Sequence, residues 1–109
     1  MEIKPSLYIV GTPIGNLSDI SFRAIETLKS VDFVFAEDTR HTKKLFSRYE
    51  ISTPLISCHK FNEAKKSKEI ITKINNDKSI ALVTDSGMPC ISDPGSRVIQ
   101  ICRESNIPI

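Results

Sequence analysis

Two carboxylates, Asp85 and Asp93, are spaced through a stretch of small and turn-forming residues, Thr84 to Gly95, that directly follows an apolar run. A carboxylate at a strand end accepts hydrogen bonds from a ribose hydroxyl or an amino group. Ser86, Gly87 and Met88 add backbone groups, a small hydroxyl and an adaptable apolar contact, and Ile91 and Ser92 lead into a helix cap. A loop of this kind suits a ligand with one flat apolar part and one polar part, held largely by main chain. The plainer alternative is a surface Asp85, with Asp93 serving only as an N-cap. A second loop, Gly11-Thr12-Pro13-Ile14-Gly15-Asn16, sets two glycines around a proline. Glycine permits close backbone approach, and proline stiffens the loop. It has neither the GK[ST] ending of a phosphate loop nor the GxGxxG spacing of a dinucleotide site. Alone, it reads as a turn as readily as a ligand loop.

Proton handling and anion contact fall to other residues. Glu37, Asp38 and Arg40 crowd two acids and a cation into a helix start. Acids there are favoured by the helix dipole; alternatively they position a substrate, with Arg40 on a phosphate. His59, at the end of an apolar run, has a side chain suited to moving protons, and Lys60 and Glu63 share that edge. Cys58 beside it does not make a zinc site, because no other Cys or His stands at ligand spacing. A Cys58–His59 nucleophilic pair also fails, since neighbouring strand residues point to opposite faces. Cys58 and Cys102 read as core. Lys43, Lys44, Arg48, Lys60, Lys65, Lys66 and Lys68 read either as solvated helix faces or as a phosphate track for RNA.

The elements that must hold these residues alternate in type. Strands are expected at Leu7–Val10, Phe33–Ala36, Leu55–Cys58 and Ile80–Val83, with a fifth beginning at Ile107–Ile109. Between them, Ser21 caps a helix through Leu28 with Ala24, Ile25 and Leu28 on one face. Thr39 caps a helix over His41–Tyr49 with Leu45 and Phe46 inward. Asn62 caps Glu63–Asn75, striped by Ile70, Ile71 and Ile74. Asp93 and Pro94 open a last helix carrying Val98, Ile99 and Cys102. This order predicts an α/β fold: a mainly parallel sheet flanked by helices in three layers. Ligands of such sheets gather outside the carboxyl ends of the strands, which is where both loops fall.

With 109 residues, the chain has material for one domain. A net charge of +2 and a pI near 8.5 are too mild to establish a nucleic-acid partner. No run of about 18 apolar residues points to a membrane. Three cysteines without CxxC spacing predict a reducing, cytoplasmic setting. The ending at Asn106-Ile107-Pro108-Ile109 predicts the front part of a longer protein.

Four segments in order carry a resemblance: GTPIGNLSDIS from Gly11, AEDTRHT at 36–42, SCHKFNE at 57–63 and LVTDSGMPCISDPG at 82–95. Together they resemble the branch of the tetrapyrrole methylase (class III S-adenosylmethionine-dependent methyltransferase) superfamily that modifies small-subunit ribosomal RNA. Pro13 stands where much of the superfamily has the middle glycine of GxGxG. Thr84-Asp85-Ser86-Gly87 stands where others have GDP, which makes Asp85 the matching carboxylate. The resemblance implies 2′-O-methylation of a cytidine ribose in the 16S rRNA of the small ribosomal subunit, with S-adenosyl-L-methionine as cofactor and no metal. It implies cofactor contacts from Thr12, Pro13, Ile14, Gly15, Asp85, Ser86, Gly87, Met88, Ile91 and Ser92; the catalytic candidates on the ligand edge are Glu37, Asp38, Arg40 and His59. It further implies a cytoplasmic two-domain homodimer, of which residues 1–109 are most of the N-terminal domain and inactive alone. Two alternatives remain: a methyltransferase of the same superfamily acting on a small molecule such as a tetrapyrrole, and a flavodoxin-like nucleotide-binding module.

Overall fold

A computed structural model of the protein describes residues 5–11, 20–58, 62–84 and 95–105. Within them the chain runs β1 (Leu7–Gly11), α1 (Phe22–Ser30), β2 (Phe33–Ala36), α2 (Thr39–Arg48), β3 (Leu55–Ser57), α3 (Glu63–Asn75), β4 (Ile80–Thr84) and α4 (Gly95–Glu104). The strands form one parallel sheet in the order β1-β4-β2-β3. The expected fifth strand and the Asp93–Pro94 helix start lie outside the described residues.

Both faces of the sheet are apolar because side chains alternate along each strand. Leu7, Phe35, Cys58, Ile80 and Leu82 pack on one face with Ile70 and Ile74 of α3 and Cys102 of α4. Val10, Val34, Ala36, Ala81 and Val83 pack on the other with Leu28 of α1 and with Leu45 and Phe46 of α2. The connections follow from handedness. β1 to β2 and β2 to β3 step one way across the sheet, and right-handed crossovers put α1 and α2 on one face. β3 to β4 steps back, so α3 takes the opposite face, and α4 packs against α3 there. Continuous apolar runs such as Ile80–Val83, all buried, belong in a sheet covered on both sides.

Local chemistry sets the helix ends. Ser21 caps α1 as expected, its hydroxyl accepting from the Ala24 amide at 3.1 Å. For α2 the cap is Asp38 rather than Thr39: its Oδ1 accepts from the Arg40 and His41 amides at 3.0 and 3.2 Å, and Thr39 becomes the first helical residue. Asn62 occupies the cap position of α3 but makes no capping bond; its Nδ2 instead donates to the Ser57 carbonyl at 3.4 Å. Both α2 and α3 close with a left-handed residue, Glu50 at φ 54° and Asp77 at φ 63°. Each is followed by an amide that bonds back to the last turn, Ile51 to the Phe46 carbonyl and Lys78 to that of Lys73. Buried hydroxyls are satisfied within their helices: Thr42 donates to Asp38 O and Ser67 to Glu63 O.

At the amino ends of the strands, Asp32 and Ser79 clasp β2 to β4. The Asp32 carboxylate accepts from the Ser79 amide at 2.9 Å and its hydroxyl at 3.2 Å, and the Asp32 amide donates to the Ser79 carbonyl at 3.0 Å. This fixes the register that carries the opposite strand ends.

Candidate functional site

Because every strand is parallel, all four carboxyl ends finish on one edge of the sheet. Gly11 lies beside Thr84, Ala36 beside Val83, and Ala36 beside Ser57. The chain leaves β1 and β2 for helices on one face, and β3 and β4 for helices on the other. Neighbouring strand ends therefore part in opposite directions, which opens the crevice in which ligands of parallel sheets bind.

The order of strands brings β1 and β4 together, so the two loops singled out in the sequence leave the sheet from adjacent ends, at Gly11 and Thr84. The loop residues themselves (Thr12, Pro13, Ile14, Gly15, Asp85, Ser86, Gly87, Met88, Ile91 and Ser92) lie outside the described residues, as does His59. Glu37, Asp38 and Arg40 are described and fall at the β2 end. Glu37 is exposed as the first residue past the strand. Asp38 closes the first turn of α2, and Arg40 projects into solvent from that turn. An Arg at the positive end of a helix dipole is unfavourable by itself; the adjacent Asp38 carboxylate offsets it.

Beside this trio the Cys58 amide donates to the Ala36 carbonyl at 2.9 Å, extending the β2–β3 ladder by one bond. Burial, reinforced by the negative charge of Glu63, pushes the Cys58 thiol up to about 11, against a lowering pull from Lys66. Burial raises Cys102 to about 11 as well. Both therefore stay protonated at neutral pH, as inert core thiols rather than nucleophiles. Among the described residues no three His, Cys, Asp or Glu side chains converge to hold a metal ion.

An open groove of about 540 Å³ runs along Ser6 and the whole of β1, with Ser21, Arg23, Ala24 and Thr27 of the α1 region as its other wall. It follows the side of the sheet and reaches the carboxyl edge at Gly11. Sequence periodicity marks β1 as a strand but carries no sign that it lies at the sheet margin, so this groove was not foreseen.

The sequence pattern of the Tetrapyrrole (Corrin/Porphyrin) Methylases matches residues 6–109. The chain belongs to the tetrapyrrole methylase family. That membership sets aside the flavodoxin-like alternative. The chain is 52% identical over 103 residues to a Mycoplasmopsis pulmonis protein named Ribosomal RNA small subunit methyltransferase I, covering 94% of this chain and 46% of that one. A Bacillus subtilis protein of the same name is 56% identical over 94 residues, covering 86% of this chain and 32% of the relative. The chain thus spans less than half the length of these curated relatives. Among solved structures, uroporphyrin-III-C-methyltransferase from Thermus thermophilus superposes with a TM-score of 0.75 at 17% identity, covering 95% of this chain and 45% of that one. At that identity the likeness shows the fold of tetrapyrrole methylases and nothing finer.

Proposed function

We propose that this chain supplies most of the N-terminal domain of a methyltransferase that transfers a methyl group from S-adenosyl-L-methionine to the ribose 2′-hydroxyl of a cytidine in 16S rRNA. The observation that carries the reading is identity near 50% across almost the whole chain with relatives named Ribosomal RNA small subunit methyltransferase I. The cofactor fits the donor set: a carboxylate, small hydroxyls and glycine backbone leaving the sheet at two adjacent strand ends suit an adenosine-like ligand. Thr12, Pro13, Ile14, Gly15, Asp85, Ser86, Gly87, Met88, Ile91 and Ser92 would hold it, Asp85 through its carboxylate.

When bound, S-adenosylmethionine supplies an already activated methyl group for in-line displacement. What remains for the protein is alignment of the acceptor and acceptance of its proton. In this reading Glu37, exposed at the end of β2, accepts a hydrogen bond from the ribose hydroxyl; His59, which follows β3 in the sequence, is the other candidate. Asp38 fixes the first turn of α2, and Arg40 on that turn meets a substrate phosphate. The complete protein acts as a cytoplasmic homodimer, and a C-terminal domain closes the other wall of the cleft.

The test uses the complete protein, small ribosomal subunits from cells lacking the corresponding gene, and S-adenosylmethionine labelled in the methyl group. The expected product is 2′-O-methylcytidine in 16S rRNA, identified by nuclease digestion and mass spectrometry. Label on a base, or label accepted only by a tetrapyrrole, would overturn the reading.

A further inference from the structure

The cations between positions 43 and 68 form one group in the sequence and two in the fold. The sheet separates them, with α2 on one face and α3 on the other. The two helices also differ in how their cations are used. On α3, Lys66 pairs with Glu69 at 3.1 Å and Lys73 lies over the Phe33 ring at 4.2 Å. Glu63 and Glu69 dilute the positive charge of that helix further.

α2 contains no acidic residue. Its Thr42, Leu45 and Phe46 are buried, while Arg40, Lys43, Lys44, Ser47 and Arg48 are exposed. At 100° per residue those five occupy a single outer face, with Arg40, Lys44 and Arg48 in one column about 6 Å apart per step and about 12 Å from end to end. Like charges at this spacing repel one another; among the described residues they are relieved by the Asp38 carboxylate beside Arg40 at one end of the column and by the Tyr49 ring, 5.8 Å from Arg48, at the other. The acids nearby in sequence stand outside the helix, Glu37 and Asp38 before it and Glu50 after it. The column begins at the carboxyl edge of the sheet, beside Glu37, and runs from there down the flank of the domain.

From this arrangement, and resting on the proposed RNA substrate, we infer that the outer face of α2 is a docking strip for the phosphate backbone of that RNA. Arg40, Lys43, Lys44 and Arg48 meet successive phosphates of one strand and lead it to the strand-end crevice. The lysines of α3 are not part of the track. An extended polyanion relieves the repulsion along the whole column at once, whereas a compact acidic ligand would meet one or two of its cations.

The test compares three forms of the complete protein: wild type, the α2 variant K43Q/K44Q/R48Q and the α3 variant K65Q/K68Q. Binding to unmethylated small ribosomal subunits is measured across a series of KCl concentrations, with S-adenosylmethionine binding as a check on folding. Each lost phosphate contact flattens the plot of log affinity against log salt by about 0.7 to 0.9. The α2 variant is expected to lose about 2 from that slope and about ten- to a hundredfold in affinity near 0.1 M salt, while the α3 variant tracks wild type. If the α2 triple change disturbs folding, Lys44→Gln alone tests the same point with a slope change of about 0.7. A wild-type slope in the α2 variant, or an equal loss in the α3 variant, overturns the inference while wild-type methylation leaves the proposed function standing. Wild-type protein that neither binds nor methylates the subunits removes both.

Discussion

Replacing Asp38 with alanine removes the acceptor that closes the first turn of α2. Two amides, those of Arg40 and His41, donate to its Oδ1 at 3.0 and 3.2 Å. Loss of an N-cap of this type costs about 1 kcal/mol, within a range of about 0.5–2. Loss of its charge beside the helix dipole adds about 0.3–1 kcal/mol. Asp38→Asn keeps an acceptor oxygen and loses only the second part. In a domain of this size about 1 kcal/mol moves the melting temperature by roughly 4–8 °C. The alanine variant should therefore melt about 5–10 °C below wild type, and the asparagine variant a few degrees below it. Thermal melts followed by circular dichroism measure both. Equal melting of all three proteins would refute the capping argument; an asparagine variant as unstable as alanine would show that charge alone matters. The same pair separates structure from chemistry. If Asp38→Asn abolishes methylation by the complete protein at temperatures where it is folded, the carboxylate takes part in the reaction.

The remaining expectations concern the core, a helix end and the sheet margin. Folded Cys58 and Cys102 hold their protons to about pH 11, whereas unfolded thiols lose them near 9.0. The folded state thus binds more protons in that window. Stability should fall as pH rises from 9 to 11 by on the order of 1–3 kcal/mol per thiol, and be fully retained below 9. Urea titrations of wild type and a Cys58→Ala/Cys102→Ala variant test this, and identical slopes against pH would count against it. Glu50 holds a left-handed backbone at φ 54°. That conformation costs a non-glycine residue about 1–2 kcal/mol, partly balanced by the entropy glycine loses on folding. Glu50→Gly should raise stability by about 0.5–1 kcal/mol, and a destabilised variant would show that the side chain has a role there. α4 shares a face with α3, so a right-handed connection to the strand expected from the sequence at Ile107 would carry that strand past β1 to its outer side. Residues from Ile107 onward are expected to line the groove along β1, and β1 amides that exchange freely in the complete protein would contradict that.

How much of this was legible depended on whether the signal was local. β2 at Phe33–Ala36 and α3 at Glu63–Asn75 stand where the sequence places them, because a bounded apolar run and a long stripe ending at Asn75 are written in adjacent residues. The start of α2 was misplaced because Asp38 and Thr39 are both good caps. Only the backbone decides which side chain reaches the free amides, and here it is Asp38. Asn62 marked the right position for a reason other than capping, since its amide reaches Ser57 instead. Strand order was not legible, because it depends on which face each crossover takes. The same ignorance merged the lysines of α2 and α3 into one cluster. Of the candidate site, Glu37, Asp38 and Arg40 fall together at one strand end, as their crowding in the sequence suggested.

The position of β1 also shapes how the chain acquires its fold during synthesis. Its strand partner among the described residues is β4, and the pairing of Leu7 with Ile80 closes a loop of about 70 residues. The earliest of the four strands to be synthesised is therefore the last of them to be seated. Until Ile80–Thr84 emerges, Leu7-Tyr8-Ile9-Val10 has no ladder to join and stays an apolar segment open to wrong pairing. Translation that halts within α3 should release an aggregating chain, whereas translation past β4 releases one that can close its sheet.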